Sequence, residues 1–210
     1  MVRGRFISFE GGEGSGKSTQ ARLLVERLRQ AGIDALPTRE PGGSDGAEAI
    51  RALLLDGAAD RWTAEAEALL FAAARADHVA RIIIPALEAG RYVVSDRFVD
   101  SSRAYQGASG LADADIMALH RFGSGGLLPD LTIWLDLPPA EARARAAVRD
   151  GHGGDRIGGR EAAFHAAVAA RFAAMMKAEP ARFVRVDAGR TEAEVGAEIA
   201  ATLDARGWLA

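Results

Sequence analysis

A glycine-rich segment near the start of the chain has the residue types and spacing that bind phosphate. Residues 11–18 read Gly-Gly-Glu-Gly-Ser-Gly-Lys-Ser and fit the pattern Gly-x-x-x-x-Gly-Lys-Ser/Thr, with an apolar run before them and a helical period after them. Glycines let successive backbone N–H groups curve around phosphate oxygens, and the start of the helix adds the positive end of its dipole. Lys17 is placed to reach the β- and γ-phosphates, and the Ser18 hydroxyl to ligate Mg²⁺. We therefore predict an ATP or GTP site formed by Gly11, Gly12, Glu13, Gly14, Ser15, Gly16, Lys17, Ser18 and Thr19.

Two arginines that follow other apolar runs indicate a second ligand. A phosphate cradle alone does not identify a function, because switch GTPases, transport ATPases and small-molecule kinases share it. Arg39 follows a weak apolar run at 34–38, and Arg97 comes soon after the run at 92–94. Because ligands bind beyond the carboxyl ends of parallel strands, we expect both arginines beside Lys17. Guanidinium groups bind phosphate oxygens bidentately, so the acceptor substrate is predicted to carry a phosphate.

The carboxylate that precedes the second arginine is open to several interpretations. Asp96 can orient magnesium-bound water, which makes it a candidate metal residue together with Ser18. It can also pair with an arginine such as Arg39, or cap the helix that starts near Val99. The sequence does not separate these roles.

A third group of residues can hold a flat base. Phe71 and Arg75 have the i, i+4 spacing that places a ring and a guanidinium on one helical face. The ring can stack on a nucleobase while the guanidinium donates to its carbonyl edge, although a core Phe beside a surface Arg fits the same spacing. Short polar groups and a phenol follow Asp96 and either face the same crevice or line a loop. They are Ser101, Ser102, Tyr105 and Gln106.

The elements that position these residues alternate between strand and helix. Apolar runs predict five short strands at 6–10, 34–38, 92–95, 131–136 and 183–187. Helical stripes lie between them, one of which places Ala76, Val79, Ala80, Ile83 and Leu87 on one face, with a kink or a helix start at Pro85. Gly32 and Gly207 follow the first and last stripes as expected helix caps. The pattern predicts an α/β fold of three layers, with a five-stranded parallel sheet flanked by helices.

Length, composition and charge exclude other classes of protein. The 210 residues fit a single domain over 1–210, and no apolar run reaches the ~18 residues that a membrane span needs. Cysteine is absent, which excludes disulfides and thiolate zinc sites, and no signal-peptide pattern is present, so we expect a cytoplasmic protein. Basic residues number 26 and acidic residues 29, a balance that argues against a nucleic-acid polymer as partner. The glycine- and charge-rich segment 149–160 predicts a mobile loop.

Taken together, the motifs resemble those of thymidylate kinases of the bacterial type. The matching segments run in the family's order over about two thirds of the chain: 9–20, 38–43 (Thr-Arg-Glu-Pro-Gly-Gly), 71–75 (Phe-Ala-Ala-Ala-Arg), 96–102 (Asp-Arg-Phe-Val-Asp-Ser-Ser), 104–107 (Ala-Tyr-Gln-Gly) and 129–136. The resemblance implies a P-loop kinase fold, a nucleoside-monophosphate kinase domain, and phosphorylation of dTMP to dTDP in dTTP synthesis. It also implies ATP as donor, a requirement for Mg²⁺, and a homodimer.

Roles for single residues are carried over from the resemblance. It implies that Phe71 stacks on thymine, that Arg75 bonds a base carbonyl, and that Arg39 and Arg97 hold the 5′-phosphate of dTMP. Glu13 is implied to meet the 3′-hydroxyl, and Tyr105 to occupy the space of a ribose 2′-hydroxyl. Ser102 and Gln106 are implied as neighbours of the base and sugar.

The family places a mobile arginine either in the P-loop or in a lid, and here the P-loop position is Gly14. The resemblance therefore implies a lid near 143–160 that supplies the charge, with Arg149 and Arg156 as catalytic candidates and Asp155-Arg156-Ile157 as its signature. The arginines in or beside this segment are Arg143, Arg145, Arg149, Arg156 and Arg160. Two residues depart from the family pattern. Gly158 stands where Glu is common, and Arg103 replaces a residue that is usually uncharged.

The chemistry requires no general base. A phosphate acceptor is already a dianion at neutral pH, since its second pKa is near ~6, so the four histidines are interpreted as solvated or packing residues. Two alternatives stay open: a kinase for another monophosphate or a nucleoside, or a nucleotide-binding switch. A nucleoside kinase needs a carboxylate base, and no Asn-Lys-x-Asp guanine-reading segment supports a switch.

Overall fold

Five parallel strands form the central sheet of the computed structural model, which describes residues 3–58, 60–138, 140–142, 144–145, 158 and 160–209. The strands are β1 (Phe6–Glu10), β2 (Ala35–Arg39), β3 (Tyr92–Asp96), β4 (Leu131–Asp136) and β5 (Phe183–Asp187). Within this part of the chain their order is β2-β3-β1-β4-β5, and all neighbours are parallel. The predicted five-stranded parallel sheet is therefore confirmed. Because β1 lies between β3 and β4, the loop after β1 leaves the sheet at its centre.

Burial along the strands follows from their place in the sheet. Every residue of β1 is buried, as expected for a central strand covered by helices on both faces. In the edge strand β2 only Ala35 is fully buried, and Pro37 is tolerated because an edge strand can lack one backbone donor. This is why the apolar signal of β2 is weak in the sequence.

Helices cover both faces of the sheet. They are α1 (Lys17–Gln30), α2 (Asp45–Leu55), α3 (Ala64–His78), α4 (Ile84–Glu88), α5 (Val99–Ala108), α6 (Asp113–Ser124), α7 (Ala162–Ala178) and α8 (Glu192–Ala205). Leu24 of α1 and Ile199 of α8 pack on one side of the sheet. On the other side Ile83 and Leu87 pack with Phe98. The predicted three-layer architecture is thus confirmed.

A wide helical turn joins α3 to α4. Residues Val79–Ile83 form a π-helix, in which the Ile84 N–H donates to the carbonyl of Val79, five residues back. Pro85 follows directly, and its ring is incompatible with an ordinary α-helical turn before it. The shift in register places Ala80 at the surface, so the prediction that Ala80 shares the buried stripe is wrong.

Glycines end the first and last helical stripes as predicted. Gly32 has a φ of +77° and Gly207 a φ of +66°, the left-handed conformation that closes helices. Across the described ranges, no helix combines the length and apolar character needed to cross a bilayer.

Most of the predicted lid, including Arg149 and Arg156, lies outside the described residues. Of the segment 143–160, the structure describes Ala144, Arg145, Gly158 and Arg160.

Candidate active site

A cavity of about 490 Å³ lies at the carboxyl edge of the sheet. Its volume is in the range typical of small-molecule sites. Its lining includes residues predicted for the phosphate-binding loop and residues predicted for the second ligand. They are Glu13, Gly14, Gly16, Lys17, Ser18, Thr19, Arg39, Phe71, Arg75, Asp96, Arg97, Ser102, Tyr105 and Gln106. Gly11, Gly12 and Ser15 belong to the same loop but do not line this cavity.

The loop between β1 and α1 needs glycine for two different reasons. Gly11 has a φ of +139°, and a Cβ there would lie 2.5 Å from the main-chain oxygen of Leu135. Gly16 has a φ of +88° and immediately precedes α1, where a Cβ would meet nothing within 4 Å. Glycine at this position leaves the first N–H groups of α1 without a capping side chain, so they are available to an anion.

Lys17 is the buried cation of this loop. Its ammonium donates to the carbonyl oxygen of Gly12 at 2.6 Å. Burial, helped by the positive charge of Arg97, lowers the pKa of Lys17 to about 8, and the carboxylates of Glu13 and Asp96 oppose that change. A lysine so placed gains a strong partner when a triphosphate enters the loop.

Ser18 and Asp96 form a pair of oxygen donors beside Lys17. The Ser18 hydroxyl donates to Oδ2 of Asp96. Oδ1 of Asp96 is buried and has no hydrogen-bond partner in the part of the chain that the structure describes. An orphaned carboxylate oxygen next to a hydroxyl is a donor set that suits Mg²⁺, which takes one or two protein oxygens and completes its shell with phosphate and water.

The other two interpretations of Asp96 are wrong. Its Cα lies opposite that of Arg39 in the β2–β3 register, but the guanidinium of Arg39 bonds Glu48 instead. The helix that begins at Val99 has Phe98 at its N-cap and receives no capping hydrogen bond from a side chain, Asp96 included.

Arg97 lies at the centre of the site. It is the one non-glycine residue among those described with a positive φ, +71°, which is a strained conformation. Its guanidinium donates to Gly11 O at 3.1 Å and to Ser101 Oγ at 3.0 Å, and it forms an ion pair with Glu13. It also lies over the Tyr105 ring, with 5.0 Å between the guanidinium carbon and the ring centroid. Although burial opposes its charge, Tyr105 and Glu13 raise the pKa of Arg97 well above its usual value, so it stays charged.

Arg39 is held more loosely than Arg97. Its side chain is 56% exposed, compared with 15% for Arg97. Its Nη2 donates to Glu48 at 2.9 Å, and the Gly43 N–H donates to the same carboxylate oxygen. The hydrogen bond from Gly43 and the charge of Arg39 lower the pKa of Glu48, so the carboxylate stays ionised. The two predicted phosphate-binding arginines therefore line the same cavity, but the side chain of Arg39 is more exposed and less constrained than that of Arg97.

Arg75 is buried at the far end of the cavity. Its Nε donates to Glu40 at 2.7 Å and its Nη2 to the hydroxyl of Ser102 at 2.9 Å. Phe71, one helical turn earlier, is half-buried and lines the same cavity. The alternative of a surface arginine beside a core ring is wrong, because Arg75 is only 3% exposed.

His78 supports Arg75 through a shared carboxylate. Its Nδ1 lies 3.1 Å from Glu40, and its Nε2 lies 2.6 Å from the Thr38 hydroxyl. The interpretation of the histidines as packing residues holds for His78, which is fully buried, but it also orients Glu40 toward Arg75. Sequence reasoning missed this role because His78 lies 38 residues from Glu40 along the chain. The motif Thr-Arg-Glu at 38–40 gives no indication that Thr38 and Glu40 share a histidine partner.

The phenol of Tyr105 faces the cavity in neutral form. Burial raises the pKa of Tyr105, although the charge of Arg97 opposes the change. Arg97 Nη2 lies 3.4 Å from the phenol oxygen. Tyr105 therefore places a neutral phenol beside the charged guanidinium of Arg97.

Comparison with known proteins identifies the family. The family model for thymidylate kinase matches residues 9–199. A thymidylate kinase from Rhizorhabdus wittichii is 59% identical over 93% of this chain and 95% of the relative. One from Caulobacter vibrioides is 51% identical over 97% of this chain and 96% of the relative. The chain belongs to the thymidylate kinase family.

A solved structure of a thymidylate kinase agrees with this assignment. The crystal structure of the enzyme from Ehrlichia chaffeensis has a TM-score of 0.77 and 31% identity, covering 96% of this chain and 99% of that one. The resemblance drawn from the sequence motifs is therefore confirmed, and so is the P-loop kinase fold.

Several cavity residues were not predicted from the sequence. Arg51 lines the cavity and donates to the carbonyl of Pro41 at 2.7 Å, and Leu55 lies one turn further along α2. Nothing in the amphipathic pattern of α2 distinguishes Arg51 from an ordinary solvated arginine. Arg145, by contrast, is one of the predicted lid arginines, and it lines the same cavity and donates to the Ala188 carbonyl at 2.9 Å.

Arg103, a departure from the thymidylate kinase pattern, has a structural explanation. Its guanidinium forms ion pairs with Asp100, Asp113 and Glu179, which belong to α5, α6 and the loop after α7. Arg182 joins the same network through Asp100 and Glu179. Arg103 therefore connects helices, and it is not a cavity residue.

Proposed function

We propose that the cavity binds ATP and dTMP head to head, so that a phosphate oxygen of dTMP bonds to the γ-phosphorus as the bond from that phosphorus to ADP breaks, while the side chains position both substrates. As a member of the thymidylate kinase family, the chain is an enzyme that phosphorylates dTMP to dTDP with ATP as phosphate donor, a step toward dTTP. The observation that supports the residue assignment is that Lys17, Arg39 and Arg97 line one cavity.

The donor is assigned to the glycine-rich loop. Backbone N–H groups between Gly11 and Thr19 bind the phosphates of ATP, and the ammonium of Lys17 moves from the Gly12 carbonyl to the β- and γ-phosphates. Because main-chain donors are fixed by the fold, they need no reorganisation when charge spreads over the transferred group.

The acceptor phosphate is assigned to the space between Arg39 and Arg97. Both are permanent cations, so they bind the phosphate dianion of dTMP and align its oxygen with the γ-phosphorus. The nucleophile is already deprotonated at neutral pH.

Magnesium is assigned to Ser18 and Asp96. The orphaned Oδ1 of Asp96 and the adjacent hydroxyl fit a hard divalent cation that is bound mainly through substrate phosphates. When bound, Mg²⁺ neutralises charge on the β- and γ-phosphates. We expect Asp96→Asn to raise the Mg²⁺ concentration needed for half-maximal activity by about tenfold. An unchanged requirement would exclude Asp96 as a metal residue.

The base and sugar of dTMP are assigned to the inner end of the cavity. Phe71 stacks on thymine, Arg75 donates to a base carbonyl, and Ser102 and Gln106 are neighbours of the base and sugar. Tyr105 occupies the space beside C2′, so a ribonucleotide is excluded. Glu13, which already pairs with Arg97, is assigned to the 3′-hydroxyl.

The lid supplies the remaining positive charge. Arg149 and Arg156 keep their predicted catalytic roles, and the lid is proposed to close over the phosphates and exclude water, which would otherwise accept the γ-phosphoryl group. We expect Arg156→Ala to lower turnover on the order of a thousandfold, by analogy with arginine fingers. Unchanged turnover in a single-turnover measurement would contradict the assignment.

A homodimer is proposed from an apolar surface on three neighbouring helices. Leu53 of α2, Leu69 of α3 and Phe122 of α6 are 43%, 56% and 95% exposed, and α3 packs against both α2 and α6. Large apolar groups at the surface are typical of protein interfaces. Sedimentation should show a dimer that Phe122→Glu dissociates and Ala201→Glu, at an exposed position of α8, does not. A wild-type monomer at micromolar concentration would contradict the proposal.

A panel of acceptors tests the proposed function. With ATP and Mg²⁺, we expect rapid ADP formation with dTMP, slower formation with dUMP and dCMP, and almost none with thymidine, which offers no phosphate to Arg39 and Arg97. The cytoplasm, where these charged metabolites are made, is the compartment we propose. Faster turnover with thymidine than with dTMP would overturn the head-to-head arrangement. ATP hydrolysis independent of any acceptor would favour a switch.

A further inference from the structure

One buried amide in the cavity has an orphaned end. Gln106 of α5 is 1% exposed and lines the cavity near Arg75. Its Nε2 donates to Oε1 of Glu67 at 3.0 Å. Its Oε1 is buried and accepts no hydrogen bond from any residue that the structure describes. An unpaired buried carbonyl is costly in an empty site, so it points to a ligand donor.

The direction of this amide is set by its partner. A side-chain amide can present either its NH₂ or its oxygen to a ligand, and the two ends have nearly the same shape. A carboxylate accepts hydrogen bonds and donates none, so Glu67 holds the NH₂ end of Gln106. The oxygen is then the end left for the substrate.

Glu67 is itself held by a second contact. Its Oε2 accepts from Arg160 at 2.7 Å, and Arg160 also donates to Ser109 at 3.0 Å. The guanidinium of Arg160 lies 4.6 Å from the centroid of the Phe164 ring. Glu67 is 1% exposed, so the ion pair with Arg160 compensates a carboxylate that is otherwise far from water.

An acceptor at this point distinguishes between pyrimidines. Thymine carries a proton on N3 and an oxygen on C4, whereas cytosine has an unprotonated N3 and an amino group on C4. An amide oxygen complements the N3–H of thymine and repels the N3 lone pair of cytosine. The guanidinium of Arg75, which lines the same cavity, is the donor assigned to O4.

We propose that Glu67 is a positioning residue that fixes the amide of Gln106 with its oxygen toward the base, and thereby sets the preference for thymine over cytosine. This inference rests on the proposed function, in which Gln106 meets the base. Glu67 does not touch the substrate. Arg160 fixes Glu67 and so connects the end of the lid segment to base recognition.

The test compares dTMP with 5-methyl-dCMP, two acceptors that differ only at N3 and C4 of the base. Glu67→Gln keeps the shape but lets its own NH₂ donate to Gln106, so the amide can turn and offer its NH₂ to cytosine. We expect the ratio of kcat/KM for the two acceptors to fall at least tenfold, mainly through KM. Glu65→Gln, on the exposed side of the same helix, is the matched control and should keep the wild-type ratio.

A structural role alone would lower both activities together and leave the ratio unchanged, and that result would overturn the inference. Should Glu67→Gln fail to fold, Arg160→Met decides, because it removes the ion pair that orients Glu67 and should lower the ratio in the same direction. An unchanged ratio in Arg160→Met would then reject the proposal. If wild-type protein does not phosphorylate dTMP, the proposed function fails; if it does and the ratio persists in the variants, only this inference fails.

Discussion

The two halves of the cavity, to which we assign ATP as donor and dTMP as acceptor, are built by different means. The donor half uses the main chain of one loop, fixed by positive-φ glycines such as Gly11 and Gly16, with Lys17 as its buried cation. The acceptor half uses side chains from β2, α3, α5 and the loop after β3. Each of its four main polar side chains is held by a glutamate: Arg97 by Glu13, Arg39 by Glu48, Arg75 by Glu40, and Gln106 by Glu67.

This difference suggests that the main-chain half accepts many nucleotides, whereas the side-chain half selects one. Main-chain N–H groups recognise any triphosphate, because phosphate oxygens are alike in all nucleotides. Side chains that are oriented by carboxylates present a fixed pattern of donors and acceptors, which suits one acceptor. The donor half should therefore be sensitive to loss of charge, and the acceptor half to loss of orientation.

The largest expected effect is on the charge of the donor half. Lys17→Met should lower turnover about a thousandfold, because the developing charge on the γ-phosphoryl group loses a preorganised cation. The chain contains a second lysine, Lys177, so Lys177→Met is a matched control and should have nearly wild-type turnover. Steady-state ADP formation at saturating dTMP is the measurement. A similar loss in both variants would contradict a specific role.

The acceptor half should instead be sensitive to geometry. A substitution that keeps the positive charge but changes the shape of the side chain should weaken dTMP binding. Arg97→Lys should raise the KM for dTMP on the order of a hundredfold, since a buried bidentate guanidinium is not replaced by an ammonium. Arg39→Lys should raise it less than tenfold, because Arg39 is exposed and screened by solvent. Equal increases in KM for the two variants would show that the burial of the arginine does not determine its contribution to dTMP binding.

A third prediction concerns pH. Since the pKa of Lys17 is about 8 in the free protein, it loses its proton above pH 8 unless ATP is bound. ATP phosphates raise that pKa, so ATP binding takes up a proton and must weaken as pH rises. The dissociation constant should increase about tenfold between pH 7 and pH 9.

Calorimetry without dTMP measures this change, and Lys17→Arg should abolish it because a guanidinium stays charged. Lys177→Arg leaves a single lysine for NMR titration. A pH-independent ATP affinity would contradict the lowered pKa of Lys17.

The smallest expected effect separates two glycines of the donor loop. Gly16→Ala should cost about 1–2 kcal/mol of stability, the usual penalty for a left-handed backbone, because nothing crowds its Cβ. Gly11→Ala should cost more, since its Cβ also meets the Leu135 carbonyl. Thermal unfolding measures both, and about 2–4 °C per kcal/mol is expected for a chain of this size. A smaller loss for Gly11→Ala would contradict the close approach of β4.

The same contrast explains what the sequence could predict. The donor loop is contiguous, so residues 11–18 identify it directly, and the alternation of apolar runs gives the sheet. The carboxylates that orient Arg75 and Gln106 are 35 and 39 residues away from them along the chain, and no spacing rule connects such pairs. The π-helix at Val79–Ile83 was missed for another reason, because a helical stripe assumes a constant period that Pro85 interrupts.

A bisubstrate analogue tests the central claim most directly. In this molecule adenosine and thymidine are joined through their 5′ positions by five phosphates. We predict that one molecule binds per chain, displaces both ATP and dTMP, and binds on the order of a hundredfold more tightly than either. Displacement of one substrate only, or binding of two molecules per chain, would contradict a single cavity in which the two substrates meet.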